Sequence, residues 1–486
     1  MMRTADKAKI EYGDFQTPIE LADKICQKLV ELGVKPDVVI EPTCGIGAFI
    51  KASACSFKSV NKIIGIEINP EYICKINQNN SFFEHLSLEV SQGNFFEINW
   101  FSLIEHFSEP ILVIGNFPWV TNSQHGIING LNMPEKKNFQ NYTGLDAITG
   151  KSNFDISEWM LIQAVEWLQN RNGYLAMICK TSVARKLLKY IHTNKRQLAY
   201  AGIFGIDAKK YFGVSVEACL LFCKFDSASH NYLFDVFENL ETKKSYRIGY
   251  KNGITIRNLA DFEELSNLYG SNEIKWRSGI KHDCSQVMEF HQVNDNLING
   301  LGEIVDIEKN YLFPLLKGSD VANNRITYTK RYTLVTQQYI GESTDLIKSI
   351  APKTWYYLES HANYLDKRKS KIYDNNPRYS IFGVGNYTFA PWKIAICGLY
   401  KSLDFRLIKQ INNKPVVFDD TIYFLSFCDE QVARKTFQLL TSSSATRFFS
   451  SLIFWDEKRP IKASILNSLN LRELEKVETF TLFGNS

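Results

Sequence analysis

Val38-Val39-Ile40-Glu41-Pro42-Thr43-Cys44-Gly45-Ile46-Gly47-Ala48-Phe49 is the stretch that decides the fold. Three apolar β-branched residues predict a buried strand. An acid ends the strand, and two glycines then turn the chain toward a helix. Glycine there lets the backbone turn tightly and approach a ligand closely. A Gly-x-Gly pair also occurs in plain βα loops, so its weight comes from its surroundings. Residues 62–68 predict a second strand, residues 111–114 a third and residues 174–179 a fourth. Helical patterns lie between them. Over residues 157–170, Trp159, Ile162, Val165 and Leu168 share one stripe, as in an amphipathic helix. This alternation predicts βαβ units, an α/β fold and a mostly parallel sheet. Near the N-terminus, Thr17, Pro18 and Glu20 match the N-cap, first helical position and capping box of a helix.

The chain has 486 residues, enough for two or three domains. Hydrophobic residues make up 45% and charged residues 22%, the balance of a globular protein. Charge divides unevenly. Residues 1–240 carry 23 basic against 25 acidic residues, and residues 241–486 carry 33 against 27. A mildly basic second half allows nucleic-acid binding without demanding it. Ten cysteines form no C-x-x-C pair, so they are expected to be reduced thiols of a cytoplasmic protein, with no metal site. No apolar run is long enough to span a bilayer. From residue 241 the βαβ rhythm gives way to short aromatic and β-branched runs. A boundary after residue 240 is therefore expected, with residues 241–253 either a linker or a hairpin closing the first domain. The polar connection over 120–153 is long enough to be functional rather than idle.

Strand two ends in Gly65-Ile66-Glu67-Ile68-Asn69. Glu67, 26 residues after Glu41, stands at the tip of the neighbouring strand, where an acid binds both hydroxyls of a ribose. No third glycine follows Gly47, and no G-x-x-x-x-G-K-[ST] cradle occurs. These features favour a ligand with a ribose and no pyrophosphate, S-adenosylmethionine before a dinucleotide. Gly93-Asn94-Phe95-Phe96-Glu97 offers an amide and an aromatic face to an adenine ring. A loop with a core Phe is the other reading. Strand three runs into Asn116-Phe117-Pro118-Trp119. Its amide accepts a hydrogen bond from an exocyclic amine, and its indole offers a flat face to a base.

In their order these segments resemble the gamma group of N6-adenine DNA methyltransferases, which includes the TaqI-like enzymes. Gly13-Asp14-Phe15-Gln16-Thr17-Pro18 looks like the methionine-binding motif, and 41–49 like the first cofactor loop. Asn116 to Trp119 looks like the (N/D/S)-P-P-(Y/F/W) catalytic motif. Phe154-Asp155 and the 211–215 segment keep the family's later order. The resemblance implies a Rossmann-like methyltransferase domain over 1–240 and a mixed α/β target-recognition domain over 241–486. It implies that Thr17, Glu41, Pro42, Cys44, Gly45, Gly47, Phe49, Glu67, Ile68, Asn94 and Phe95 bind S-adenosylmethionine. It makes Asn116, Phe117, Pro118 and Trp119 catalytic, with Trp119 and Phe212 stacking on a flipped-out adenine. For Trp119 the alternative is a core indole; for Phe212 a core role is about as frequent. Phe117 replaces the usual proline but still supplies a backbone carbonyl. Asn94 replaces an acid and keeps an acceptor.

Lys275, Arg277, Lys281, Lys367, Arg368, Lys369, Lys371, Arg378 and Tyr379 are expected to contact double-stranded DNA, their mixture of cations and aromatics suiting phosphate and groove contacts. A solvated basic loop is the alternative. Lys393 lies in the same interleaved stretch. The resemblance implies a site-specific adenine methyltransferase of a restriction–modification system, with a possible cognate endonuclease. A protein glutamine-N5 methyltransferase shares a similar tetrapeptide, but residues 241–486 argue against it. A catalytically weak DNA-binding homologue is the other alternative. C5-cytosine chemistry needs a Pro-Cys dipeptide, which the sequence lacks.

Overall fold

The computed structural model describes residues 15–78, 86–107, 109–119, 156–251 and 253–483. Gly13, Asp14, the 120–153 connection and Phe154-Asp155 lie outside them. The chain divides into two compact units, Met1–Leu259 and Ala260–Ser486.

The first unit opens α1 (Ile19–Glu31), β1 (Val38–Glu41), α2 (Ala48–Ser56), β2 (Lys62–Glu67), α3 (Pro70–Asn77) and β3 (Ser87–Gln92). It continues α4 (Trp100–Ile104), β4 (Ile111–Asn116), α5 (Ile156–Trp167), β5 (Gly173–Lys180), α6 (Thr181–Thr193) and β6 (Tyr200–Ile206). Then come α7 (Ala208–Phe212), β7 (Ala218–Phe225), β8 (Phe234–Phe237), β9 (Ser245–Lys251) and β10 (Ile254–Ile256). The ten strands form one sheet in the order β10-β9-β8-β6-β7-β5-β4-β1-β2-β3. The β3-β2-β1-β4-β5 portion is parallel throughout. Ile111, Leu112, Val113 and Ile114 are fully buried, as a strand covered on both faces must be. The α/β fold with a mostly parallel sheet is the one the alternating pattern predicts.

Strand order reverses at β1, which pairs with β2 on one side and β4 on the other. Open parallel sheets place their ligands above the carboxyl ends of the strands at such a reversal. Phe95 sits at the centre of an aromatic cluster beside it, 5.2 Å from Trp100, 5.5 Å from Phe117 and 5.6 Å from Trp167.

Two expectations need correction. Thr17 does not cap α1. Pro18 holds the N-cap position without a side-chain bond, and the Thr17 hydroxyl instead accepts a hydrogen bond from Asn116. Glu20 pairs with Lys24 at 3.0 Å rather than closing a capping box. The first unit also extends past residue 240. Antiparallel β9 and β10 join the sheet edge through β8, which is the hairpin alternative for residues 241–253.

The second unit is mixed α/β. Its strands begin with β11 (Arg277–Ser278), β12 (Glu289–Val293), β13 (Asn296–Asn299), β14 (Ile304–Val305), β15 (Leu312–Leu316) and β16 (Arg331–Leu334). They continue with β17 (Trp392–Cys397), β18 (Arg406–Lys409), β19 (Val417–Phe418) and β20 (Ile422–Phe427). Together they form two sheets, β14-β13-β12-β16-β15-β19 and β11-β20-β17-β18. Helices α8 (Glu430–Leu440), α9 (Ser443–Leu452) and α10 (Leu471–Phe483) follow. Lys393, placed by sequence among the basic contact residues, is 2% exposed inside this core. Its ammonium donates to the carbonyls of Thr388 at 2.7 Å and Val416 at 2.5 Å. Burial pushes its pKa down from 10.5 to about 7.

A lysine that binds its proton less tightly when folded leaves the unfolded chain with more protons between about pH 7 and 10.5. Stability contributed by this group therefore rises with pH across that window and is lowest below it. Lys393→Met removes the dependence. In thermal unfolding, the melting temperature of the variant minus that of wild type should fall as pH rises from about 6.5 to 9.5. A pH-independent difference would show that Lys393 titrates normally.

Candidate active site

The loop after β1 is held from both sides. The Cys44 N–H donates to the Ile66 carbonyl at 2.8 Å, and Gly45 N–H donates to Glu67 Oε2 at 2.7 Å. Gln16 Oε1 accepts from Ile46 N–H at 3.0 Å. Gly45 has φ +51°, and a Cβ there would stand 2.4 Å from Gln16 Oε1. The positive φ favours glycine, and a Cβ would displace the Gln16 amide that holds the loop. Glu67, at the tip of β2, is 8% exposed, and its Oε1 accepts from Asn69 N–H at 2.8 Å. Two backbone donors thus fix this carboxylate.

A cavity of about 390 Å³ lies along this edge, within the range of small-molecule sites (~300–1,000 Å³). Of the residues expected to bind the cofactor, Thr17, Glu41, Pro42, Cys44, Gly45, Glu67, Ile68, Asn94 and Phe95 line it. Gly47 and Phe49 do not. Gly47 takes φ +79° at the start of α2, and the Phe49 side chain is buried in the core. Among the described residues the lining includes two acids, Glu41 and Glu67, and no basic residue. Burial, opposed by an Ile50 N–H bond to Oε2 at 3.1 Å and aided by Glu67, holds the Glu41 carboxyl well above the usual range. Asn94 builds its own turn, with Oδ1 accepting from Phe96 N–H at 3.2 Å and Nδ2 donating to Glu97 at 3.0 Å.

Asn116 ends β4 on the same wall. Its Nδ2 donates to the Phe15 carbonyl at 3.3 Å and to Thr17 Oγ1 at 3.4 Å. Its Oδ1 is buried and has no hydrogen-bond partner among the described residues. Pro118 also lines the cavity. Phe117 turns its ring inward to 1% exposure, edge-on to Phe95, so packing stiffens this turn where a proline ring is usual. Trp119 is 6% exposed, does not line the cavity, and leaves its Nε1–H without a partner among the described residues. Its ring meets that of Phe212 edge to face at 5.3 Å and 69°. No base fits between two rings in contact, so an aromatic sandwich requires them to part.

Phe15 and Gln16, from the segment read as the methionine-binding motif, also line the cavity, whereas sequence reasoning missed Tyr72, Ile156 and Met160. Tyr72 was within reach. The Asn69 side chain caps α3 by accepting from Glu71 N–H at 3.0 Å, and Asn-Pro-Glu marks a helix whose first turn faces the strand tip. Ile156 and Met160 come from α5 and carry no local signal.

In the second unit the predicted DNA-contact residues separate. Lys275, Arg277, Lys367, Lys369 and Lys371 are exposed. Arg368 is a clamp: it donates to the carbonyls of Leu365 (2.8 Å), Ser380 (2.7 Å), Arg378 (2.9 Å) and His282 (3.4 Å), and stacks 3.7 Å from the Tyr373 centroid. Arg378 forks onto Asp366 at 3.1 and 2.6 Å, and Lys281 lies 3.5 Å from Asp283. Tyr379 is 1% exposed and packs against Trp355. Arg368 and Tyr379 are therefore spent on the fold. Their local pattern is that of a binding loop, and only the tertiary contacts show otherwise. Among the described residues no group of His, Cys, Asp and Glu forms a metal site, and no helix is long and apolar enough to cross a membrane.

No protein-family model matches the chain. The type II methyltransferase M.NspV of Nostoc sp. (strain ATCC 29411 / PCC 7524) is 62% identical over 478 residues, covering 98% of this chain and 100% of that protein. Among solved structures, the type IIL restriction-modification enzyme MmeI in complex with DNA matches with a TM-score of 0.55 at 13% identity, over 96% of this chain and 69% of that one, a likeness of fold. The methyl donor is S-adenosylmethionine, and the cavity fits it: an anchored carboxylate able to accept from a vicinal diol, apolar Ile66 and Ile68 for a flat ring, and no basic residue in the described lining to oppose a sulfonium charge. With a relative so similar along the whole of both chains, this protein belongs to the type II methyltransferases.

Proposed function

We propose that this protein methylates the exocyclic N6 of a flipped-out adenine at a specific DNA site, as the modification enzyme of a restriction–modification system with a cognate endonuclease. The observation that carries the reading is the buried Oδ1 of Asn116, unpartnered among the described residues, on the wall of an acid-lined cavity. Kinship with a type II methyltransferase supports DNA as the substrate.

Bound S-adenosylmethionine supplies an electrophilic methyl on a sulfonium. Glu67 would hold the ribose hydroxyls through its carboxylate, and Ile68 and Phe95 would hold the donor's adenine. Gly45 keeps the loop low enough for close approach. At the acceptor end, adenine N6 is a poor nucleophile because its lone pair is delocalised into the ring. Asn116 Oδ1 and the Phe117 carbonyl hold its two hydrogens, which favours a pyramidal nitrogen with an exposed lone pair. Catalysis then comes from positioning and fixed dipoles. Trp119 supplies a stacking face once its contact with Phe212 opens, offsetting part of the unstacking cost by ~1–3 kcal/mol. The second unit reads the target. Lys275, Arg277, Lys367, Lys369 and Lys371 are its phosphate contacts, and Arg368 shapes the loop that carries three of them.

Expression in a methylation-free host, followed by modification-sensitive sequencing of that host's genome, tests the reading directly. N6-methyladenine at one motif is expected; methylcytosine or no mark rejects it. Asn116→Ala should lower kcat by at least ~100-fold while S-adenosylmethionine affinity stays within about threefold, measured by labelled-methyl transfer and equilibrium binding. Glu67→Ala should weaken donor binding by more than about tenfold and leave DNA affinity nearly unchanged. Replacing Lys367, Lys369 and Lys371 together by Ala should reduce the slope of log K for DNA against log salt by about 2–3. An unaltered slope would remove this loop from the phosphates.

A further inference from the structure

The tripeptide Phe15-Gln16-Thr17 touches three parts of the site at once. Gln16 Oε1 holds the Ile46 N–H of the loop after β1 at 3.0 Å. The Phe15 ring lies 6.1 Å from that of Trp119, tilted by 35°. The Phe15 carbonyl and the Thr17 hydroxyl both accept from Asn116 Nδ2. The Phe15 contact decides which way the Asn116 amide points, and the Thr17 hydroxyl, able to donate or accept, holds the amide in that place. A carbonyl oxygen only accepts, so the nitrogen end of the amide must face Phe15. The other end, Oδ1, then faces away, buried and without a partner among the described residues. A half-turn of the amide would set oxygen against oxygen at Phe15 and present a donor where the target amine also donates.

We propose that Thr17 is a positioning residue, which together with the Phe15 carbonyl locks the Asn116 amide with its oxygen toward the incoming amine. The inference rests on the reading of Asn116 as the acceptor of that amine. Thr17 stands one residue before the helix N-cap, 8% exposed, and caps nothing. Its hydroxyl is instead directed at a residue 99 positions later in the chain. Because Thr17 also borders the cavity, the donor-binding region and the acceptor group share one short segment. A methyl-transfer enzyme needs that shared alignment, since both reacting atoms must meet in line.

Thr17→Val keeps the side-chain shape and removes the hydroxyl; Thr17→Ser keeps the hydroxyl. Both are assayed in the full-length protein with labelled S-adenosylmethionine and unmethylated genomic duplex DNA, alongside Asn116→Ala. Donor affinity is measured separately by equilibrium binding, which also reports that each variant is folded. The expected result for Thr17→Val is a fall in kcat of about fivefold with donor Kd within about twofold of wild type, and recovery of kcat in Thr17→Ser. An unchanged kcat in Thr17→Val overturns the proposal. So does a loss confined to donor Kd, which would make Thr17 a donor ligand only. A Thr17→Ser variant as impaired as Thr17→Val also overturns it, because packing rather than the hydroxyl would then matter. If Asn116→Ala is as active as wild type, the reading of Asn116 itself fails, and that failure shows without reference to Thr17.

Discussion

The parallel pairing of β1 with both β2 and β4 is the constraint on which the rest depends. It reverses the strand order at one point and brings three chain ends to one edge: Glu41, Glu67 and Asn116. Their side chains are far apart in sequence and border one cavity. The backbone then completes the geometry. Gly45 and Asn69 N–H groups pin the Glu67 carboxylate, and the Phe15 carbonyl orients the Asn116 amide. Each functional side chain is thus held by a main-chain group of a neighbouring segment, which cannot rotate away as a side chain can.

The turn at 116–119 shows how packing substitutes for covalent rigidity. Proline stiffens such a turn through its ring. Here Phe117 buries its ring against Phe95, which in turn contacts Trp100 and Trp167, themselves stacked at 4.6 Å. Burial of an aromatic side chain is worth about 1.5–3 kcal/mol, enough to hold one main-chain conformation. The carbonyl of Phe117 is therefore held by the core rather than by its own ring closure.

Charge in the second unit teaches a different lesson. Lys367, Arg368 and Lys369 are adjacent and alike in sequence, yet the guanidinium of Arg368 satisfies four carbonyls while its neighbours remain exposed. A planar fork with five donors can tie several loop carbonyls together, and an ammonium cannot do so as well. Lys393 is the extreme case, a cation buried among Phe418 and Phe424 with its charge weakened by desolvation. A count of basic residues in this stretch therefore overstates the charge available to a polyanion.

The alternation of apolar runs and helical stripes determined by itself that the first half is an α/β unit, because strand and helix periods leave distinct marks on a sequence. It also marked Gly45, Glu67 and Asn116, since a glycine turn, an acid and an amide at strand ends are local signals. Other features have no local signature. The hydroxyl of Thr17 had two possible partners, a helix end next to it or an amide across the site, and only the folded chain chose the second. The extent of the first unit past residue 240, the inward rings of Phe117 and Tyr379, and the contact of Trp119 with Phe212 were decided in the same way. Sequence fixes what a side chain is able to do; long-range packing determines which of its partners is within reach.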